Sequence, residues 1–150
     1  MVVVSTVNHF LQNEQLAKKQ SPKKELEQKQ ILIGESENEL LLLFKSYLSS
    51  RGVYTETANS GNEAISRFLE SEKEGRLYDV IMLDTHLLNP AGLDIAKRIH
   101  SEKPNQKLVL VSTTPTENLP QECLKTAGIK EGDILTMPFK LSKLVEVLRN

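Results

Sequence analysis

The sequence predicts a doubly wound α/β domain, a five-stranded parallel sheet in the order 2-1-3-4-5 with helices on both faces. Three observations predict it. Ile31-Leu32-Ile33, Val80-Ile81-Met82-Leu83 and Leu108-Val109-Leu110-Val111 are apolar runs too short for helices and bounded by polar residues, as strands buried on both faces are. Stretches with helical periodicity separate them, so strand and helix signals alternate five times. The connections are short, and right-handed crossovers then fix which face each helix covers. Of the two common doubly wound orders, five strands fit the flavodoxin-like one, whose ligand crevice lies beside strands one and three.

The elements follow in order from Gln30. Ile31 to Ile33 is the first strand, and Ser36 with Glu39 three residues later predicts a capping box before Leu40, Leu41, Phe44, Tyr47 and Leu48. Arg51-Gly52 closes that helix, and Val53 to Thr55 is the second strand. Ser60 with Glu63 caps a second helix with Ala64, Ile65, Phe68 and Leu69 on one side. The third strand ends in Asp84, and its helix carries Leu93, Ala96 and Ile99 on one stripe. A fourth strand over 108–111 precedes a weaker helix over 119–127 that Gly128 ends. Asp133 to Met137 is the fifth strand, and Leu141, Leu144, Val145 and Leu148 set the last helix.

Residues 1–29 form an N-terminal extension outside the core, and 30–150 the compact domain. Gln and Lys are frequent in the extension, and Lys18, Lys19, Lys23 and Lys24 surround Ser21-Pro22. Val3, Val7, Phe10 and Leu11 have amphipathic helical spacing. A short helix seeking a surface and a disordered, solvated arm both fit, and the sequence leaves both open.

Composition narrows the function. With 150 residues, 39% hydrophobic, the chain suits one globular domain. Lys+Arg 19 against Asp+Glu 20 leaves a net charge of -1, so there is no global basic field for nucleic acid or an anionic membrane. No apolar run approaches the roughly 20 residues of a membrane helix, and Met1 to Val4 lacks the flanks of a secretory signal. Cys123 has no partner cysteine for a disulfide. The expectation is a soluble, cytoplasmic protein in which Cys123 serves as a small apolar helix residue.

The chemistry gathers at the carboxyl edge of the sheet. Glu35 leaves strand one, Asp84 leaves strand three and Ser112 leaves strand four, so the predicted order brings two carboxylates and a hydroxyl to one crevice. Such a set suits a hard cation such as Mg²⁺, which takes one or two carboxylates and keeps waters or phosphate oxygens. A carboxylate beside a cation can attack phosphorus, as in aspartyl-phosphate enzymes, and Asp84 is the candidate. The plainer reading, an acid merely solvated at a strand end, weakens when three such positions converge.

The segments ILIGESE, VIMLDTHLLNPAG, LVLVST and LTMPFK, in this order and spacing, resemble the response-regulator receiver domains of two-component signalling, the CheY type, from about Ile31 to Leu148. The resemblance implies that Asp84 accepts a phosphoryl group from a phosphohistidine on a sensor histidine kinase or phosphotransfer protein. It also implies Mg²⁺ held by Glu35, Asp84 and the backbone carbonyl of His86, with Ser36 at most a weak ligand. Ser112 stands at the hydroxyl position that hydrogen-bonds the phosphoryl group, and Met137-Pro138 at the Lys-Pro position, where the peptide bond is often cis.

Several positions depart from that pattern. Ser36 replaces the second acid of the metal pair and is accounted for as a helix cap, while Glu37 falls on the first turn. Met137 replaces the lysine that pairs with the acceptor, a loss that predicts poor self-phosphorylation, since one preorganised stabiliser is worth on the order of 10²- to 10³-fold in other enzymes. Lys107 and Lys140 are other cations near strand ends with no spacing that points to Asp84. Ile134 stands at the family's aromatic switch position and has no ring or hydroxyl to follow Ser112. Leu88, Asn89 and Pro90 rearrange the loop after the acceptor. His86 and His100, a loop and a helix-end histidine, are expected to be solvated rather than phosphate carriers or ligands.

Two functions remain. One is a single-domain receiver that signals through protein contacts after phosphorylation of Asp84, with no independent substrate turnover. The other is a pseudo-receiver, an interaction module that works without phosphorylation. In either case the expected partner is a downstream protein, which the resemblance implies is met at the last two helices and the fifth strand, with no nucleic acid and no membrane, and the oligomeric state is open. A flavodoxin-type cofactor site lacks a Gly-rich phosphate cradle after strand one. A dehalogenase-like phosphatase lacks the second aspartate, because His86 stands there.

Overall fold

The computed structural model describes Leu26 and residues 28–149. Val3, Val7, Phe10, Leu11 and the lysines of the extension lie outside the described residues. Five parallel strands, β1 (Gln30–Gly34), β2 (Tyr54–Ala58), β3 (Val80–Asp84), β4 (Leu108–Ser112) and β5 (Ile134–Thr136), form one sheet in the order β2-β1-β3-β4-β5. The helices are α1 (Asn38–Ser49), α2 (Gly61–Glu74), α3 (Gly92–Glu102), α4 (Gln121–Thr126) and α5 (Leu141–Arg149).

β3 and β4 are buried along their whole length because helices cover both of their faces, which is why they read as continuous apolar runs. Alternate residues feed two cores. Ile31, Ile33, Val80 and Met82 meet Leu40, Phe44, Leu48, Leu144 and Leu148 on the α1/α5 side. Leu32, Ile81, Leu83 and Leu110 meet Phe68, Ile95, Ile99 and Leu124 on the other.

Differences from expectation concentrate at element ends. β2 runs over Tyr54–Ala58 and not 53–55, because Val53 still belongs to the turn, its N–H donating to Leu48 O at 3.1 Å. Leu43, Ile95 and Val147 are buried where the sequence stressed Leu41, Leu93 and Val145, which are half-buried, and Leu69 is 40% exposed. The fourth helix is not continuous over 119–127. A 3-10 turn, Thr116–Asn118, comes first, and Pro120 sits at the N-cap position of α4, where its missing N–H is harmless. β5 loses both predicted ends, Asp133 to a 3-10 turn (Glu131–Asp133) and Met137 to the turn that follows.

The capping box at Ser60 forms, in a shifted version: Ser60 Oγ accepts from Glu63 N–H at 3.2 Å, but Glu63 Oε1 accepts at 2.8 Å from the N–H of Asn59, one residue before the cap. The one at Ser36 does not. Glu37 is the N-cap residue of α1 and lies outside its first turn, no side chain caps the helix, and Ser36 is exposed. The physical reason is that Glu35 Oε2 already accepts from Glu37 N–H at 3.0 Å, which turns the chain before Ser36 can close on the helix.

Leu26, assigned to the extension from sequence, is 1% exposed and belongs to the α1/α5 core. Lys29 N–H donates to Leu26 O, and Gln28 N–H donates to Gly52 O, so the chain enters β1 through a turn fixed against the end of the α1–β2 connection. A lone leucine among Lys, Glu and Gln, ahead of the first apolar run, gives no signal of this.

Candidate functional site at the carboxyl edge of the sheet

Strand register assembles the site. Gly34 pairs with Leu83 and Asp84 with Val111, so Glu35 and Asp84 emerge side by side from β1 and β3. The ladder continues past the strands: Glu35 N–H donates to Ala58 O, Thr85 N–H to Val111 O, and Met137 N–H to Ser112 O. Both acids are buried, Glu35 at 3% and Asp84 at 6% relative exposure.

Asp84 Oδ1 accepts from His86 N–H at 2.7 Å, and His86 Nδ1 lies 3.3 Å from the same oxygen. Glu35 Oε1 is buried with no hydrogen-bond partner. Burial, and then Asp84 beside it as both an acceptor for a shared proton and a like charge, pushes the Glu35 carboxyl up to about 9, against the lowering effect of the Glu37 N–H. These describe one situation. Two carboxylates meet in a dry place, and the space between them calls for a proton or a cation.

The loop after Asp84 is held close. Leu87 is fully buried, and its N–H donates to Asp84 O at 3.1 Å. Gly92 opens α3 so near the acceptor that an added Cβ would lie 2.1 Å from Asp84 O. Gly61 N–H donates to Leu88 O at 2.7 Å, which ties the same loop to the start of α2. The Asn89-Pro90 and Met137-Pro138 peptide bonds are both cis.

The other predicted residues divide. Ser112 is fully buried at the end of β4, but its Oγ donates to Thr114 O and accepts from Thr114 N–H, both at 2.9 Å, and so is engaged with its own loop. Met137 is half-buried and packs against the α1/α5 core. Ile134 is buried in the opposite core. Lys107 precedes β4, at the other edge of the sheet, and pairs with Asp133 at 3.5 Å; Lys140 is exposed. His100 is half-buried against Gly128, where an added Cβ would come within 2.4 Å of the imidazole, and is not merely solvated. Cys123 is half-buried on α4, its Sγ 3.5 Å from Lys97 Nζ, a contact that pulls the Lys97 ammonium upward. The His86 side chain, expected to be solvated, is 64% exposed yet comes close to Asp84, a short local contact across two loop residues that has no periodicity to announce it.

Among the described residues no group of three His, Cys, Asp or Glu is placed to hold a metal, and no helix is long and apolar enough to cross a membrane. The two buried acids of the described residues, Glu35 and Asp84, stand together at the edge.

A 2-1-3-4-5 parallel sheet with a buried acid at the carboxyl end of its central strand, beside an acid from strand one, defines a class, the CheY-like receiver domains. The chain belongs to the response regulator receiver domain family, whose model matches residues 31–149. It is 33% identical over 116 residues to the nisin biosynthesis regulatory protein NisR of Lactococcus lactis, covering 77% of this chain and 46% of that one. It is 26% identical over 121 residues to the chemotaxis protein CheY of Thermotoga maritima, covering 80% of this chain and 94% of that one. Thus it spans less than half of NisR and nearly all of CheY. Among solved structures, CheY4 of Vibrio cholerae superposes with a TM-score of 0.70 at 20% identity, over 81% of this chain and 97% of that one, a likeness of fold. TrrA of Thermotoga maritima, solved in complex with Mg²⁺ and BeF, superposes with a TM-score of 0.64 at 25% identity, over 80% and 98% of the two chains.

Proposed function

We propose that this receiver accepts a phosphoryl group on Asp84 from a phosphohistidine on a sensor kinase or phosphotransfer protein, with Mg²⁺ as cofactor, and signals by changing its contacts with a downstream protein. The observation that carries the proposal is the buried pairing of Asp84 with Glu35, whose Oε1 has no partner. An orphaned carboxylate oxygen beside a second carboxylate fits a hard cation, and the TrrA structure was solved in complex with Mg²⁺ and BeF.

Glu35 and Asp84 would hold the ion, with the His86 carbonyl as a further oxygen and Ser36 contributing little. When bound, Mg²⁺ supplies the positive charge that lets two acids and a phosphoryl group share one site. Asp84 is the nucleophile. The His86 N–H fixes its Oδ1, while the Gly92 and Leu87 contacts hold its backbone. Ser112 reaches the phosphoryl group only by giving up its bonds to Thr114.

A second reading, a pseudo-receiver that binds partners without phosphorylation, is favoured by Met137, which packs into the core and brings no charge to the acceptor. Incubation with acetyl phosphate and Mg²⁺, followed by intact mass, decides between them. An adduct of one phosphoryl group, lost in Asp84→Asn, supports the receiver. No adduct at millimolar Mg²⁺ supports the pseudo-receiver and directs the search to partner capture.

A further inference from the structure

Met137 brings no ammonium group to the acceptor, and among the described residues no hydrogen bond or ion pair joins a lysine to Asp84, whose side-chain partner is His86. Lys97 pairs with Asp94, Lys103 with Glu72, Lys107 with Asp133 and Lys143 with Glu146. The nitrogen-bearing side chain that does reach Asp84 is His86. Its Nδ1 is 3.3 Å from Oδ1, its own N–H holds the same oxygen at 2.7 Å, and its side chain is 64% exposed, at the solvent mouth of the site.

We propose that the His86 side chain is the donor that serves the acceptor in place of the missing lysine, orienting Asp84 and stabilising the phosphoryl oxygens during transfer. The proposal rests on the reading of Asp84 as phosphoryl acceptor. Two features support it beyond proximity. The bond from the residue's own N–H fixes the His86 backbone against Asp84, so the imidazole swings from a point held beside the acid. The exposed position also places it on the side from which a donor must approach, whereas the buried side is closed by Leu87 and Gly92.

With acetyl phosphate as donor, an Asp84 carboxylate oxygen forms a bond to phosphorus while the bond from phosphorus to the acetate oxygen breaks. Acetate leaves with the electron pair, and the product is the aspartyl phosphate. His86 neither gains nor loses a proton; its N–H faces the charge that the phosphoryl oxygens carry through the step. Replacing the side chain leaves the residue's N–H and carbonyl in place, so the backbone's part in the site is kept.

The test measures phosphorylation of the full chain by acetyl phosphate with Mg²⁺, followed by intact mass, in wild type, His86→Ala, Met137→Lys and the double variant. His86→Ala is expected to lower the maximal rate on the order of tenfold, less than a buried oxyanion donor because the imidazole is exposed, with half-saturation by acetyl phosphate little changed. Met137→Lys is expected to restore most of that loss in the His86→Ala chain and to add much less to wild type, since both groups fill one role. An unchanged urea midpoint in His86→Ala separates this from a folding effect. A His86→Ala rate equal to wild type overturns the proposal and leaves Asp84 as acceptor. A faster rate does too, and shows the imidazole to be a cover over the acid. An equal gain from Met137→Lys in both backgrounds also overturns it. If wild type gives no adduct but Met137→Lys does, His86 does not serve the site; if no variant gives one, the receiver reading itself fails.

Discussion

Glu35 carries the clearest chemical signature at the scale of single residues. Its carboxyl is raised from an ordinary 4.5 to about 9, so the unfolded chain ionises it in a pH range where the folded chain does not. The favourable contribution is therefore full below pH 4.5 and is lost as pH rises toward 9. Glu35→Gln, whose amide can donate to Asp84, is expected to flatten this loss. Thermal melts without Mg²⁺ should show the variant gaining on wild type from pH 6 to 8, by about 4 °C for each kcal/mol recovered. The same proton competes with a cation, so Mg²⁺ affinity measured by calorimetry should rise with pH across that interval, at most about tenfold per unit. A pH-independent affinity would show that Glu35 is not a ligand. Sequence alone could place Glu35 at the edge but not weigh its burial, 3% exposed beside a second buried acid, which only the assembled sheet edge determines.

Among elements, the two expected capping boxes give a matched pair. Ser60→Ala should cost about 1 kcal/mol, because Ser60 accepts the Glu63 N–H at the start of α2. Ser36→Ala should change stability by no more than about 0.5 kcal/mol, because α1 begins at Asn38 without it. Urea unfolding reads both, and an equal cost would restore Ser36 as a cap. Both motifs look alike in sequence; what separates them is Glu35, which the sheet brings to the edge and which takes the Glu37 N–H. The strands were legible for the opposite reason. β1, β3 and β4 are covered on both faces and need continuous apolar residues, whereas β2, an edge strand with Tyr54 at 74% exposure, carries polar residues that hid its true extent. The α3 start was legible only as a glycine. Gly92→Ala should destabilise by about 2–4 kcal/mol and abolish any phosphoryl adduct, because its Cβ would collide with Asp84 O. Gly132→Ala, which meets nothing within 4 Å, is the neutral control.

For the whole molecule, the question is where the folded unit starts. The family model matches from residue 31, and the sequence pattern places the boundary at 30. Yet Leu26 is as deeply buried as the strand residues, on the face where α1 and α5 meet. The backbone around it is fastened twice, by Gln28 to Gly52 and by Tyr54 N–H to Lys29 O, so the segment extends the β1–β2 edge before β1 begins. Deleting most of a buried leucine side chain costs about 2–5 kcal/mol, according to how far the cavity collapses. Leu26→Ala at the edge of the core should fall at the lower end of that range, with no change in the dependence of stability on urea. A chain beginning at residue 31 should lose at least as much, since it forfeits the turn as well as the side chain, while one beginning at residue 26 should keep the wild-type midpoint. Equal midpoints for chains beginning at 26 and 31 would place Leu26 outside the cooperative unit. Because α1 also carries Phe44 and Leu48 into that core, looser packing there should be felt at the α1 start and hence at Glu35.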